Sequence, residues 1–143
     1  MITVHEEDNF ATLAFARGEE IMSGLQEYLE ENVIKAAHIA GLGAADLIVI
    51  AYYNIDTKEY ERHTIEEELE ILNLNGNVGV KEDGATVIHI HGTFGKKDLS
   101  VIGGHIFSMR VSGAGEIHLR KFSGQIDRAY DEPTGLTTMC NIE

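Results

Sequence analysis

A histidine-rich β-hairpin is predicted by the stretch Val87-Ile88-His89-Ile90-His91-Gly92-Thr93-Phe94-Gly95-Lys96-Lys97-Asp98-Leu99-Ser100-Val101-Ile102-Gly103-Gly104-His105. Residues two apart on a β-strand project to the same face, so the side chains of His89 and His91 point in one direction. Their Cα atoms are then roughly 6.5–7 Å apart, a spacing that suits two imidazoles reaching one metal ion. We therefore expect any chemistry of this chain in this hairpin.

The position of the third histidine depends on the register of the hairpin. If the chain turns around Lys97, His91 pairs with Gly103 and His89 pairs with His105. Directly paired residues share a face, so all three imidazoles converge. A slip of one residue would send His105 to the opposite face.

Three neutral histidines without a fourth protein ligand are typical of an open metal site, which can hold water or a small-molecule ligand. The sequence therefore predicts a divalent metal ion, zinc in particular, bound by His89, His91 and His105. Gly103 and Gly104 place no side chain beside this site and leave room for a ligand. The alternative is a set of hydrogen-bonded histidines in a polar crevice or in a subunit interface.

The rest of the chain predicts one helix accompanied by many strands. The helix opens at Gly18-Glu19-Glu20, where acidic side chains suit the positive end of the helix dipole. Its apolar face comprises Ile21, Leu25, Tyr28, Leu29 and Val33. One main amphipathic helix on a central, mostly antiparallel sheet is an α+β fold, and residues 1–143 are long enough for a single domain.

Strands are predicted at residues 10–17, 36–44, 46–53, 60–65, 68–74, 87–93, 100–111 and 116–122. Glycine-containing segments separate several of them: Gly41 and Gly43 interrupt an apolar run, Asn75-Gly76-Asn77 is a turn, and Gly113-Ala114-Gly115 is a tight hairpin. That hairpin pairs His118 near Met109, too far from His105 to share a metal ion, so Glu116 and His118 are expected at the surface or in an interface. Residues 126–143 are expected to form a polar tail.

The charge of the chain is unevenly distributed. The net charge is −13; residues 1–88 hold 18 acidic and 5 basic side chains, whereas residues 89–143 hold six of each. Nucleic-acid binding depends on Lys and Arg at the phosphate backbone, so tight DNA binding by the isolated domain is not expected. Candidate DNA contacts, if there are any, are Lys96, Lys97, Arg120 and Lys121.

Features of membrane and secreted proteins are missing from the sequence. No apolar run approaches the roughly 20 residues that cross a bilayer, and residues 1–7 have neither the basic nor the apolar region of a signal peptide. The single cysteine, Cys140, cannot form an internal disulfide. We expect a cytoplasmic protein without a membrane partner.

Several segments resemble one known family. Glu70-Ile71-Leu72-Asn73-Leu74-Asn75-Gly76 resembles the Glu-Ile-Leu-Ser-Leu-Ser-Gly strand of the PPC (plants and prokaryotes conserved) domain, and Val101-Ile102-Gly103-Gly104-His105-Ile106 resembles its second signature. The resemblance spans roughly residues 10–125 and is strongest to the stand-alone prokaryotic members. It implies a central antiparallel sheet and a homotrimer. Many prokaryotic members are labelled as predicted DNA-binding proteins, but the plant members contact DNA through a separate Arg-Gly-Arg-Pro arm, which this chain lacks.

The hypothesis from the sequence is a homotrimeric, PPC-like protein with a three-histidine metal site and, at the metal, a small-molecule ligand. Whether the site is catalytic, regulatory or structural stays open; if it is catalytic, Glu116 is a weak candidate for proton transfer. One alternative is a DNA-associated transcriptional regulator. Another is a cupin-like metalloenzyme, which the sequence disfavours because no glutamate follows His91 in Gly92-Thr93-Phe94-Gly95-Lys96.

Overall fold

The computed structural model describes residues 1–140, and that range contains one α-helix and nine β-strands. In chain order the elements are β1 (Ile2–Glu7), β2 (Phe10–Ala16), α1 (Ile21–Glu31), β3 (Ala37–Asn54), β4 (Glu59–Ile65), β5 (Leu69–Lys81), β6 (Thr86–Gly95), β7 (Val101–Lys121), β8 (Asp127–Asp131) and β9 (Leu136–Met139).

The strands form one mixed sheet in the order β1-β2-β7-β3-β5-β8-β9, with β4 paired to β3 and β6 paired to both β5 and β7. All pairings are antiparallel except β5–β8, which is parallel. The predicted one-helix fold with a mostly antiparallel sheet is therefore confirmed. Because β3 and β6 each bond to both β5 and β7, these four strands close into a ring.

The helix covers the apolar side of the sheet. Glu20 caps its N-terminus by accepting hydrogen bonds from the backbone N–H groups of Met22 and Ser23, which would otherwise lack partners. The buried residues of α1 are Ile21, Leu25, Tyr28 and Leu29. The prediction of Val33 on this face is wrong, because the helix ends at residue 31 and Val33 adopts φ 53° with 73% of its surface exposed.

The sequence predicts a break or a turn at three segments, but in the structure each of them lies within a continuous strand. They are Gly41 to Gly43 in β3, Asn75-Gly76-Asn77 in β5 and Gly113-Ala114-Gly115 in β7. These predictions are wrong because glycine lets two backbones approach closely at Gly41, Gly43 and Gly76, while β7 continues through Gly113 without a turn. A Cβ atom at Gly76 would lie 2.4 Å from the carbonyl oxygen of His89, and one at Gly41 would lie 2.8 Å from that of Glu116. Between Gly41 and Gly43 the pairing with β5 shifts, so β3 bends there without reversing.

The C-terminal segment contributes two strands, although the sequence predicts only a polar tail from residue 126. β8 joins the sheet beside β5, and β9 pairs with β8. The part of the expected tail after residue 140 lies outside the described residues. β1, at the opposite edge of the sheet, was also not predicted. Among residues 1–140, no helix has the length and apolar character needed to span a membrane.

Candidate metal centre

The three histidines lie on one face of the β6–β7 hairpin. His91 pairs with His105, and Gly95 pairs with Val101, so Asp98 and not Lys97 lies at the centre of the turn. The Asp98 carboxylate stabilises this turn by accepting hydrogen bonds from the backbone N–H and the hydroxyl of Ser100. The predicted pairing of His89 with His105 is therefore wrong by two residues.

The two-residue difference leaves the predicted face unchanged, because side chains alternate with a period of two. Ile90 and Ile106, which alternate with the histidines, are buried in the core. His89, His91 and His105 consequently project together from the opposite face of the ring of strands. The structure thus brings together all three residues that the sequence predicted.

The spacing of the imidazoles fits a single metal ion. Ring centroids are separated by 5.0 Å for His89 and His91, 5.2 Å for His89 and His105, and 5.4 Å for His91 and His105. One candidate nitrogen from each ring lies within 4.8 Å of the other two. The Nε2 atoms of His89 and His91 are 3.2 Å apart, close to the roughly 3.3 Å between two nitrogens that bind tetrahedral zinc at about 2.0–2.1 Å.

The surroundings of two of the imidazoles, those of His89 and His105, favour the neutral form. Burial, followed by the neighbouring charges of His89, His91 and Arg62, lowers the pKa of His105 to about 4. Burial, followed by the charges of His91 and Arg128, also lowers the pKa of His89. A neutral imidazole has a lone pair to donate to a metal ion, whereas a protonated one has none.

A buried nitrogen of the cluster has no hydrogen-bond partner in the part of the chain that the structure describes, residues 1–140. This atom is Nδ1 of His105. Buried polar atoms are nearly always paired, so an unpaired imidazole nitrogen within a cluster of histidines is an observation that requires explanation. A cation held by the cluster fits this donor set, because three imidazoles supply lone pairs and no competing positive charge.

Aromatic side chains fix the orientation of His105. Its ring lies 4.8 Å from Tyr60 on β4 and 4.9 Å from Phe107 on β7, centroid to centroid. The guanidinium carbon of Arg62 lies 3.7 Å above the ring of Phe107. His105 is thus held by rigid neighbours, as an imidazole that binds a metal ion must be.

The histidine cluster borders a pocket of about 660 Å³. His89 and His105 contribute to its wall, whereas the exposed His91 does not. The other lining residues are Tyr60, Asn77, Lys81, Val87, Ile88, Phe107, Arg128, Gly135, Leu136, Thr137, Thr138 and Met139. The far wall therefore comes from the β8–β9 segment, which the sequence did not predict as structure.

Arg128 on β8 is the charged residue of that wall. Only 4% of its surface is exposed, and its guanidinium donates to the carbonyl oxygen of Thr137 at 2.9 Å and to Oδ1 of Asn77 at 2.5 Å. Asn77 pairs with His89 across β5 and β6, so this contact brings Arg128 towards the cluster. Gly79 makes room for the arginine, because a Cβ atom there would lie 3.1 Å from Nε of Arg128.

The residues around the histidines were not predicted from the sequence. Tyr60, Phe107 and Arg128 come from three different strands, and only the folded chain places them beside the cluster. The segment Ile126-Asp127-Arg128-Ala129-Tyr130 does not alternate between apolar and polar residues, so no local pattern indicated β8 or its pairing with β5.

Glu116 and His118 lie outside the cluster, as predicted, but for a different reason. The predicted hairpin at residues 113–115 does not form, and both residues lie on the continuous strand β7. There His118 pairs with Ala40 of β3 and with Thr12 of β2. A ring nitrogen of His118 lies 3.1 Å from the Thr12 hydroxyl. The predicted pairing of His118 near Met109 is wrong. Glu116 is exposed, eleven residues along β7 from His105, and is not placed for proton transfer at the histidines.

The fold and the site together define a class of small, one-helix β-sheet domains with a three-histidine cluster beside a pocket. The model of the Plants and Prokaryotes Conserved (PCC) domain family matches residues 4–123. The chain belongs to this family, and the resemblance to the PPC domain is thereby confirmed. No curated protein matches the chain in sequence.

Three solved structures are similar to this chain over nearly the whole length of both proteins. A metal-containing protein from Archaeoglobus fulgidus is 36% identical, with 99% of each chain covered and a TM-score of 0.85. A candidate DNA-binding protein from Bacteroides thetaiotaomicron is 30% identical, with 95% of this chain and 94% of that chain covered and a TM-score of 0.91. A plant- and prokaryote-conserved protein from Pyrococcus horikoshii, 24% identical with a TM-score of 0.85 over 100% of this chain and 99% of its own, supports the fold alone.

Proposed function

We propose that this protein binds one divalent metal ion, zinc by preference, through His89, His91 and His105 and presents it to a small molecule in the adjoining pocket. The observation that carries the proposal is the convergence of the three imidazoles, with one nitrogen of each within 4.8 Å of the others. The relative from Archaeoglobus fulgidus, described as metal-containing, supports it.

The residues around the cluster suit an open site. His89 and His105 face the pocket, and Tyr60 and Phe107 hold the ring of His105. A zinc ion with three histidine ligands keeps a fourth position for water or substrate and can lower the pKa of bound water to about 7. Tyr60, a hydroxyl-bearing residue of the pocket wall, packs against the ring of His105, whereas Glu116 lies elsewhere on β7.

Metal analysis of protein purified without chelator tests this proposal. We expect about one zinc or similar ion per chain, and we expect His89→Ala, His91→Ala and His105→Ala each to lose most of it, since two histidines remain. His118→Ala is the matched control, because it removes a β7 histidine outside the cluster and should retain the metal. Folded wild-type protein that takes up no zinc would refute the proposal.

We further propose that the protein forms a homotrimer and is located in the cytoplasm. Support for the trimer comes from the family resemblance and from apolar side chains that the single chain leaves exposed, among them Leu72, Leu99 and Val101. Support for the cytoplasm comes from Cys140, the only cysteine, which is exposed and forms no disulfide within the chain.

DNA association is the second candidate, favoured by the description of the relative from Bacteroides thetaiotaomicron. Two of the four candidate DNA contacts are already paired with carboxylates, Lys96 with Glu67 at 2.7 Å and Lys121 with Glu6 at 3.0 Å. We expect no sub-micromolar binding of duplex DNA at about 150 mM salt, where non-specific binders typically reach only about 10⁻⁴–10⁻⁶ M. A fluorescence anisotropy titration checks this, and tight, salt-resistant binding would favour the regulator instead.

A further inference from the structure

Arg128 is a buried positive charge that has no negative partner among residues 1–140. None of the five ion pairs in the described part of the chain includes it, and its Nε atom is buried without a hydrogen-bond partner. The acidic residues that line a neighbouring groove with Arg128, Glu82 and Asp83, are exposed and do not pair with it. Buried charges in proteins are normally paired, so this guanidinium lacks the counter-charge that its burial requires.

The proposed metal ion would add to this positive charge. Three neutral histidines bring no negative charge to a divalent ion, unlike a ligand set that includes carboxylates. Lys81, in the same pocket wall, is a further cation. The pocket would thus contain a metal ion, a guanidinium and an ammonium group, and none of the lining residues that the structure describes is acidic.

The remainder of the pocket is mostly apolar. Val87, Ile88, Phe107, Leu136 and Met139 form an apolar surface beside the charged groups. A ligand that matches both regions has an anionic end and an apolar body.

We propose that the pocket binds a small organic anion whose carboxylate or phosphate group lies between the metal ion and the guanidinium of Arg128. The planar fork of arginine donors matches the oxygens of either group. Two of the five N–H groups of Arg128 are used by Thr137 and Asn77, which leaves three donors and fixes the direction of the fork. This inference rests on the proposed function, because it requires the metal ion as the second anchor.

Calorimetric titration of zinc-loaded protein tests the inference, with benzoate as the carboxylate probe and inorganic phosphate as the phosphate probe. Zinc content is measured first on every sample. We expect Arg128→Met to bind the preferred anion at least about tenfold more weakly, the size expected for hydrogen bonds to a charged group. Arg120→Met is the matched control, since it removes the same charge from an exposed position outside the pocket and should bind like wild type.

A second measurement uses wild-type protein and does not depend on a variant that folds. With ¹⁵N-labelled arginine, the Nε signal of Arg128, one of five arginines, should shift on addition of the anion when zinc is present. The anion that binds more tightly identifies the ligand group as carboxylate or phosphate.

The outcomes separate the inference from the proposed function. Failure of wild-type protein to bind zinc would overturn both. Zinc binding with no uptake of either anion at millimolar concentration would overturn the inference alone. The inference alone would also be overturned if folded Arg128→Met bound the anion as tightly as wild type. It would likewise be overturned if wild-type protein without zinc bound the anion at full strength.

Discussion

Glu6 joins three elements of the fold through one carboxylate. Its Oε1 atom accepts hydrogen bonds from the Tyr28 hydroxyl of α1 at 2.9 Å and from Nζ of Lys121 on β7 at 3.0 Å. The hydrogen bond from Lys121, followed by that from Tyr28, lowers the pKa of Glu6. Burial, followed by the contact with Glu6, raises the pKa of Tyr28 to about 12.

These contacts predict a pH-dependent contribution of Glu6 to stability. Because the pKa of Glu6 is lower in the folded state than in the unfolded state, its contribution is present above the unfolded value and is lost as pH falls through the folded value. We expect the free energy of unfolding of Glu6→Gln to fall below that of wild type at neutral pH and to approach it at about pH 3, below the ordinary pKa of glutamate. Urea unfolding at both pH values checks this.

The control for this experiment is Glu27→Gln, at an exposed position of α1. It should differ little from wild type at either pH. A Glu6→Gln deficit that stays constant between the two pH values would contradict the assigned role of the carboxylate.

At the scale of elements, the contact between β5 and β6 positions His89. Gly76 pairs with Ile90, and an added Cβ atom at Gly76 would lie 2.4 Å from the His89 carbonyl oxygen and 2.9 Å from the Cα atom of Ile90. Backbone atoms cannot move aside as a flexible side chain can. This glycine therefore sets the distance between the strand that carries Asn77 and the strand that carries two of the histidines.

We predict that Gly76→Ala lowers the free energy of unfolding by about 1–3 kcal/mol or more, the usual cost of overpacking, and weakens zinc uptake by displacing His89. Gly113→Ala is the control, because its Cβ atom would make only an ordinary contact at 3.6 Å with Ala44. That variant should be neutral or more stable by up to about 1 kcal/mol, since alanine restricts the unfolded chain. Thermal or urea unfolding, with zinc analysis of the same samples, compares the two variants. Equal stability and equal zinc uptake of Gly76→Ala and Gly113→Ala would contradict the prediction.

The same glycines show why the sequence predicted the presence of the helix and strands more accurately than the residues at which they begin and end. Periodicity placed α1 correctly, because the residues at helical spacing from Ile21 to Leu29 are buried. It could not distinguish a glycine that permits a turn from one, such as Gly76, that permits close backbone contact. Long strands were consequently divided at glycines that they run through.

The candidate site was predictable from the sequence for a related reason. Alternation alone decides which face a residue occupies, so an error of two residues in the register still left His105 on the face of His89 and His91. The partners of the site could not be found in this way. Arg128 reaches the cluster through the parallel pairing of β8 with β5, a contact between distant parts of the chain that no local pattern encodes.

For the whole molecule, the net charge of −13 restricts how copies of the chain can associate. Like charges on neighbouring chains repel one another, so association requires apolar contact to offset that repulsion. Exposed apolar residues at the β6–β7 turn form the candidate contact patch: Val101 pairs with Gly95, and the side chain of Leu72 lies beside Gly95. Leu72 and Val101 are 52% and 57% exposed.

Leu99 lies in the same β6–β7 turn and is unfavourable in the single chain. Its side chain is 87% exposed, and its backbone adopts φ 67°, a left-handed conformation that glycine or asparagine adopts at lower cost. Neither burial nor backbone preference within one chain accounts for a leucine there. Contact with a second copy would account for it, because the leucine would then be buried.

We therefore predict a trimer that is held together in part by this patch. Light scattering at micromolar concentration should give three times the 15.8 kDa chain mass, and added salt should preserve the trimer, because screening weakens the repulsion between acidic chains. Val101→Asp should shift the mass towards one chain, because it buries a further negative charge in the interface. Ile55→Asp, with the same charge change at a residue that is 52% exposed in another part of the surface, should remain trimeric. A wild-type mass of one chain would refute the trimer, and a trimer unaffected by Val101→Asp would place the interface elsewhere.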